Sequence, residues 1–151
     1  MIRDPHKERV YEFEDAWPGW GKNHITFKAC RELVYHACDA YNVKRPVIVQ
    51  HPQRSFSWSM PTKNRISIQG GEHRENGGRN VATVLHEAAH HIAWCLYGDK
   101  IQDHGPTFFR IYFDLLVRAK VAPEVALKAS AAAHGLKLVS KTTRAPPRAA
   151  G

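Results

Sequence analysis

His86-Glu87-Ala88-Ala89-His90 constrains this chain more than any other stretch, because it sits inside a segment patterned as an amphipathic helix. Projected at roughly 100° per residue, Val81, Val84, Leu85, Ala88, Ile92, Cys95 and Leu96 gather on one side, with Ala89 at its edge. Thr83, His86, Glu87, His90, Ala93 and Tyr97 fall on the other. Gly77-Gly78 precede the segment, Asn80 is a suitable N-cap, and Gly98 is the residue type favoured just past a helix end. The pattern predicts a helix over 80–97 that lies on a core by its aliphatic side. Both histidines and the glutamate then face a cleft together.

Histidines at i and i+4 can reach one metal ion from one helix face. Thirteen residues separate His90 from a third histidine, in His104-Gly105-Pro106-Thr107-Phe108. A catalytic zinc site uses three protein ligands and keeps a position open for water. The expectation is therefore one Zn2+ per chain held by His86, His90 and His104, with Glu87 as the acid–base group. Tyr97, Tyr112 and Arg110 are candidates for a donor to developing negative charge. Asp99, Asp103 and Asp114 are candidate acceptors for the second N–H of a ligand imidazole. His91 projects about 100° away from His90 and reads as a flanking polar residue. His24, His36, His51, His73 and His134 carry no motif.

At 151 residues the chain suits one domain, expected over 1–136, that can bury a core without disulfides. Residues 1–22, with Tyr11, Phe13, Trp17 and Trp20 around Pro18-Gly19, read as an irregular segment whose aromatics cover the edge of a core. Residues 137–151 form a basic, Pro- and Ala-rich tail expected to be disordered. No run of about 18 apolar residues predicts a membrane span, and the polar N-terminus lacks the apolar stretch of a signal peptide, so a cytoplasmic location is the default expectation. Cys30, Cys38 and Cys95 make no paired motif and read as reduced, packed thiols. The net charge of +8 suits contact with the phosphates of DNA without base readout, or simply a solvated basic surface.

Thr26 to Tyr41 fits a helix ended by Asn42 and Pro46. Val47-Ile48-Val49, Ser55 to Met60 and Arg65 to Ile68 read as three short strands, with a turn at Pro61-Thr62-Lys63-Asn64. Pro106 opens a helix reaching about Lys120, and Pro123 opens another through about His134, closed by Gly135. The fold class expected is α+β: an N-terminal helix, a small, mostly antiparallel three-stranded sheet, the HExxH helix and two further C-terminal helices.

The two motifs, His86-Glu87-Ala88-Ala89-His90 and His104-Gly105-Pro106-Thr107-Phe108, after a helix and a small sheet, resemble those of the SprT-like (Spartan-type) zinc metallopeptidases. That zincin group includes proteases acting on DNA–protein crosslinks. The resemblance spans residues 25–120. It implies a zincin-like fold, zinc on His86, His90 and His104, and Glu87 as general base and acid. It also implies a peptide substrate extended along an edge strand beside the metal helix, for which Arg65, Ile66, Ser67, Ile68 and Gln69 are the candidates. Many relatives continue into a zinc ribbon, whereas here no cysteine follows Cys95. Other zincin branches match less well. Cys95 to Tyr97 offer no metzincin third histidine, and Glu124, the only glutamate after the motif, opens a later helix with no supporting pattern.

Three functional readings follow. The first is a zinc endopeptidase, with DNA-associated proteins as a substrate class. The second is a non-catalytic nucleic-acid-binding or structural module that keeps the metal as a staple, in which Asp99 or Asp103 could close the coordination. The third is a metal-dependent hydrolase acting on a non-peptide amide.

Overall fold

Asp4 and Pro5 start a helix inside the segment expected to be irregular. In the computed structural model, which describes residues 4–17, 25–51, 57–69 and 80–140, that helix is α1 (Pro5–Asp15) and corrects the expectation for 1–22. Asp4 Oδ1 accepts from the backbone N–H groups of His6 and Lys7 at 3.1 and 3.3 Å, and Pro5 takes a position where no N–H is needed. Only Val10 and Phe13 reach the core from this helix, so its apolar periodicity is too sparse to read from the sequence.

The next helix, α2 (Phe27–Ala40), is capped by Thr26, whose hydroxyl accepts from the Ala29 N–H at 3.1 Å. It ends at Tyr41, and Asn42 follows in the left-handed region at φ 54°. Then come β1 (Val47–His51), β2 (Trp58–Met60), a single 3-10 turn at Pro61–Lys63, and β3 (Arg65–Gln69). Ser55 and Phe56 of the expected second strand lie outside the described residues.

The sheet order is β1-β3-β2. β1 pairs with β3 in parallel, Val47 opposite Arg65 through His51 opposite Gln69, while β2 pairs with β3 antiparallel, Trp58 opposite Ser67. The sheet is therefore mixed, not mostly antiparallel. It also follows that Arg65–Gln69 is the central strand and no edge, which overturns its assignment as the substrate-binding edge. The alternation in Arg65-Ile66-Ser67-Ile68 suggested one wet face, yet Ser67 is as fully buried as Ile66 and Ile68. β1 and β2 are the strands with an edge to spare among the described residues.

The HExxH segment forms α3 (Val81–Tyr97), with Asn80 accepting from the Thr83 N–H at 2.9 Å and Gly98 at φ 64° ending it. Gly105 then leads into α4 (Pro106–Arg118), and α5 (Glu124–Ala133) closes in a pair of hydrogen bonds, Leu136 N–H to Ala131 O and Gly135 N–H to Ala132 O. With Gly135 at φ 69°, this is the cap that glycine permits. The described residues thus make an α+β fold of five helices and one small mixed sheet.

α3 is the central element, packed against α2, α4 and the sheet. Val84, Leu85, Ala88 and Ile92 join Ile66 and Ile68, Val34 and Cys38, and Phe109, Phe113 and Leu116 in one core. Burial pushes the Cys38 thiol up to about 12, in keeping with a packed, reduced cysteine. His91 is buried as well, with Nε2 donating to the Lys44 carbonyl at 2.7 Å, and so ties α3 to the segment before β1. Of the expected tail, residues 137–140 run without regular structure, with Leu138 packed on the core; 141–151 lie outside the described residues. Among the described residues no helix is long and apolar enough to cross a membrane.

Candidate metal centre

Two segments bring the histidines together. His86 and His90 come from successive turns of α3, and His104 comes from the loop just before α4. Gly105 permits that approach: a Cβ there would come within 2.9 Å of the Gln102 Cβ. One ligand nitrogen from each histidine lies within 4.8 Å of the others. His86 Nε2 and His90 Nε2 are 3.2 Å apart, close to the roughly 3.3 Å between two nitrogens bound tetrahedrally at 2.0–2.1 Å.

Each ring is held from behind by a carboxylate. His86 Nδ1 lies 3.0 Å from Glu14 Oε2, His90 Nδ1 3.3 Å from Asp103 Oδ1, and His104 Nδ1 2.9 Å from Asp4 Oδ2. With Nδ1–H donated to a carboxylate, the Nε2 of each ring keeps its lone pair when the ring is neutral and turns it inward. His104 Nε2 is buried without a hydrogen-bond partner. A buried acceptor in that state is costly unless something else satisfies it, and a metal ion does. The donor set and its convergence fit a metal ion.

Aromatic rings fix the imidazoles laterally. Phe108, fully buried, stacks on His90 with centroids 4.3 Å apart and meets His86 and His104 edge-on at 5.2 and 5.3 Å. Tyr11 of α1 stacks on His86 at 5.8 Å and meets His104 at 5.9 Å, while remaining 43% exposed at the mouth. Tyr112 is fully buried and donates its hydroxyl to Glu14 Oε2 at 2.6 Å.

Charge in this pocket is mostly negative. In the metal-free protein, burial raises Glu87 and the His86 charge opposes it; with Glu14 adding to the rise and a Ser59 backbone N–H opposing it, the carboxyl settles at about 7. His86 shows the opposite balance. Burial lowers it, but the Glu14 charge and hydrogen bond, helped by Glu87 and Asp103, carry it to about 8. Burial dominates for His90, which falls to about 4, and also lowers His104. The hydrogen bond from His90 brings Asp103 down to about 2.

One expected result follows for pH. His86 alone of the three carries a second proton near neutrality, on the nitrogen that a metal needs. Below pH 8 a metal must displace that proton, so affinity should fall by about tenfold per pH unit from 8 downward. The other two rings, already neutral, add no slope until lower pH. Competition with a chromophoric chelator from about pH 6 to 8.5 measures this, and a flat affinity would contradict the His86–Glu14 pairing.

The structure does not gather every residue singled out from the sequence. Tyr97 and Arg110 line a separate cavity of about 370 Å³, with Tyr41 and Asp114, that contains none of the three histidines. Tyr97 stands seven residues beyond His90, about 10 Å along the axis, and Arg110 lies on the side of α4 away from Phe108 and Tyr112. Arg110 pairs with Asp114 at 2.9 Å. Asp114 in turn accepts from Tyr41, so it holds no imidazole. Asp99 is exposed in the loop after α3. Tyr112 is near the metal ligands, but its hydroxyl is committed to Glu14. Asp4, Tyr11 and Glu14 were missed. Their one legible signal is that, once a helix is admitted at Pro5, positions 4, 11 and 14 fall on neighbouring faces of it.

Glu87 sits beside the convergence point, half-buried, and reaches the edge of β2 through the Ser59 N–H. Comparison with family models, with curated proteins and with solved structures finds no match for this chain.

Proposed function

We propose that this chain is a zinc-dependent endopeptidase of SprT-like, zincin-like type. One observation carries the reading: three imidazole nitrogens converge, each ring backed by a carboxylate, and a glutamate with no part in that set stands next to them. A structural metal site has no use for that glutamate, whereas water-mediated hydrolysis requires a base there. His86, His90 and His104 would hold zinc, which would supply a Lewis acid and acidify the attacking water.

Glu87 takes the proton of the attacking water and returns it to the leaving amine. Burial of this carboxyl opposes its ionisation and so favours returning the proton, while the Ser59 N–H favours the anion that takes it up. The Ser59 N–H keeps the carboxylate aimed, and Phe108 keeps the imidazoles from rotating. Tyr11 is the candidate donor to the developing oxyanion in place of Tyr97, Tyr112 and Arg110, because its ring stacks on His86, meets His104 edge-on and is partly exposed. An extended substrate would add to β2, Trp58–Met60, the strand whose Ser59 contacts Glu87, on the side that faces away from β3. The net charge of +8 supports substrates presented on DNA.

The test is zinc per chain by elemental analysis, with His104→Ala alongside, followed by cleavage of an unstructured protein with and without DNA. The parent should hold one zinc. The variant should bind it more weakly by about a hundredfold or more, taking about 10–16 kcal/mol for a four-ligand site as roughly 2.5–4 kcal/mol per ligand. Zinc bound without cleavage of any peptide would instead favour a non-catalytic module. No zinc uptake would sink both.

A further inference from the structure

Two of the three carboxylates behind the histidines come from α1, and each has a second task. Asp4 divides its oxygens: Oδ1 caps α1 at the His6 and Lys7 N–H groups, while Oδ2 holds His104. Glu14, one residue from the other end, takes His86 Nδ1 and the Tyr112 hydroxyl on a single oxygen. Between them Tyr11 covers His86 and His104, and Val10 and Phe13 fasten the helix to the core, Phe13 edge-on to Phe109 at 5.3 Å. The same groups that form and dock this helix therefore orient two of the three metal ligands.

We infer that α1 is a working part of the metal centre, with Asp4 and Glu14 as positioning residues, so that metal binding and docking of the N-terminal helix are one coupled equilibrium. This rests on the three-histidine reading above. Without Glu14, His86 has no acceptor for Nδ1–H and its ring is free to adopt the other tautomer, which turns a proton toward the metal. The same holds for His104 without Asp4. Such supporting partners are worth about 10- to 100-fold in metal affinity. Coupling is reciprocal: whatever factor docked α1 adds to zinc affinity, bound zinc returns to the docking of α1. A metal-free chain would then expose α3 by releasing α1 first, the site opening from its N-terminal side.

Three substitutions separate this from a plain structural role. Asp4→Ser keeps a good helix cap but is too short to reach His104; Glu14→Ala removes the acceptor, and Glu14→Gln restores an acceptor without the charge. Zinc affinity is measured by chelator competition on the full chain, and amide exchange of α1 is followed with and without zinc. Asp4→Ser and Glu14→Ala should each bind zinc about 10- to 100-fold more weakly, with Glu14→Gln in between. In the parent, zinc should slow exchange across α1 at least tenfold. Parent-like affinity in Asp4→Ser and Glu14→Ala, or α1 exchange indifferent to zinc while α3 is protected, would overturn the coupling and leave the three-histidine site standing. A parent that binds no zinc would remove the reading on which the coupling rests. Metal-free unfolding of each variant, followed by circular dichroism, separates loss of affinity from loss of fold.

Discussion

Glu87→Gln should lower peptide hydrolysis by about 10²–10⁴ and leave zinc content unchanged. The amide has the shape of the carboxyl and can still accept from the Ser59 N–H, so the site keeps its geometry while losing its proton acceptor. Glu87 is no ligand in this arrangement, which is why the metal should stay. The same change should make the metal-free protein more stable, with a pH signature of its own. Folding raises the Glu87 carboxyl from 4.5 to about 7, so the native state holds a proton that the unfolded chain releases. The resulting penalty on folding is absent below the unfolded value, grows as pH rises from 4.5, and is complete above about 7. Glutamine lacks it. The variant's stability advantage should thus be near zero at about pH 4 and should approach a few kcal/mol at about pH 8, at most about 3 by the usual conversion. Denaturant unfolding in the presence of chelator reads this directly. An advantage that shrinks with rising pH would mean that Glu87 is stabilised as the anion, and activity surviving in Glu87→Gln would remove it as the base.

Phe108→Ala should cost about 3–5 kcal/mol of stability, among the largest effects available to a single substitution in this chain. The ring is fully buried and lies against His86, His90, His104 and Tyr112 at once. Removing it leaves a cavity between α3 and α4 that neither helix can close, because the aromatic pair Phe109 and Phe113 holds α4 in place from the next faces. The imidazoles lose the surface that fixes their planes, so zinc affinity should fall as well. Phe108→Leu fills most of the volume and should recover most of the stability. Chemical denaturation of the metal-free variants measures the first effect and chelator competition the second. A loss under about 1 kcal/mol in Phe108→Ala would mean that the rings support themselves.

The local parts of this molecule were legible because they obey short-range rules. The caps at Asn80, Gly98 and Gly135 stand where the sequence places them, and so do the four helices after residue 25. α1 was not legible. Its apolar contribution is two residues, and its polar face is spent on partners 72 and 100 positions away, Glu14 on His86 and Asp4 on His104. Sheet order was misread for a related reason. The alternation in Arg65-Ile66-Ser67-Ile68 describes the strand's own faces and says nothing of its neighbours, so the arrival of β1 in parallel on its far side left no mark in that segment.

The spacing of His86, Glu87 and His90 is a property of helical geometry, set by 3.6 residues per turn wherever the helix forms, and the sequence by itself determined that these three groups share a side. It also determined that α3 would carry an aliphatic stripe for the core. The sequence put His104 forward, but only the tertiary structure decided that it reaches the other two, that Asp4, Glu14 and Asp103 stand behind the rings, and that, among the described residues, β2 rather than β3 offers an edge beside Glu87. Those are encounters between segments far apart in the chain, and they depend on how α1, α4 and the sheet pack around α3, which no local pattern encodes.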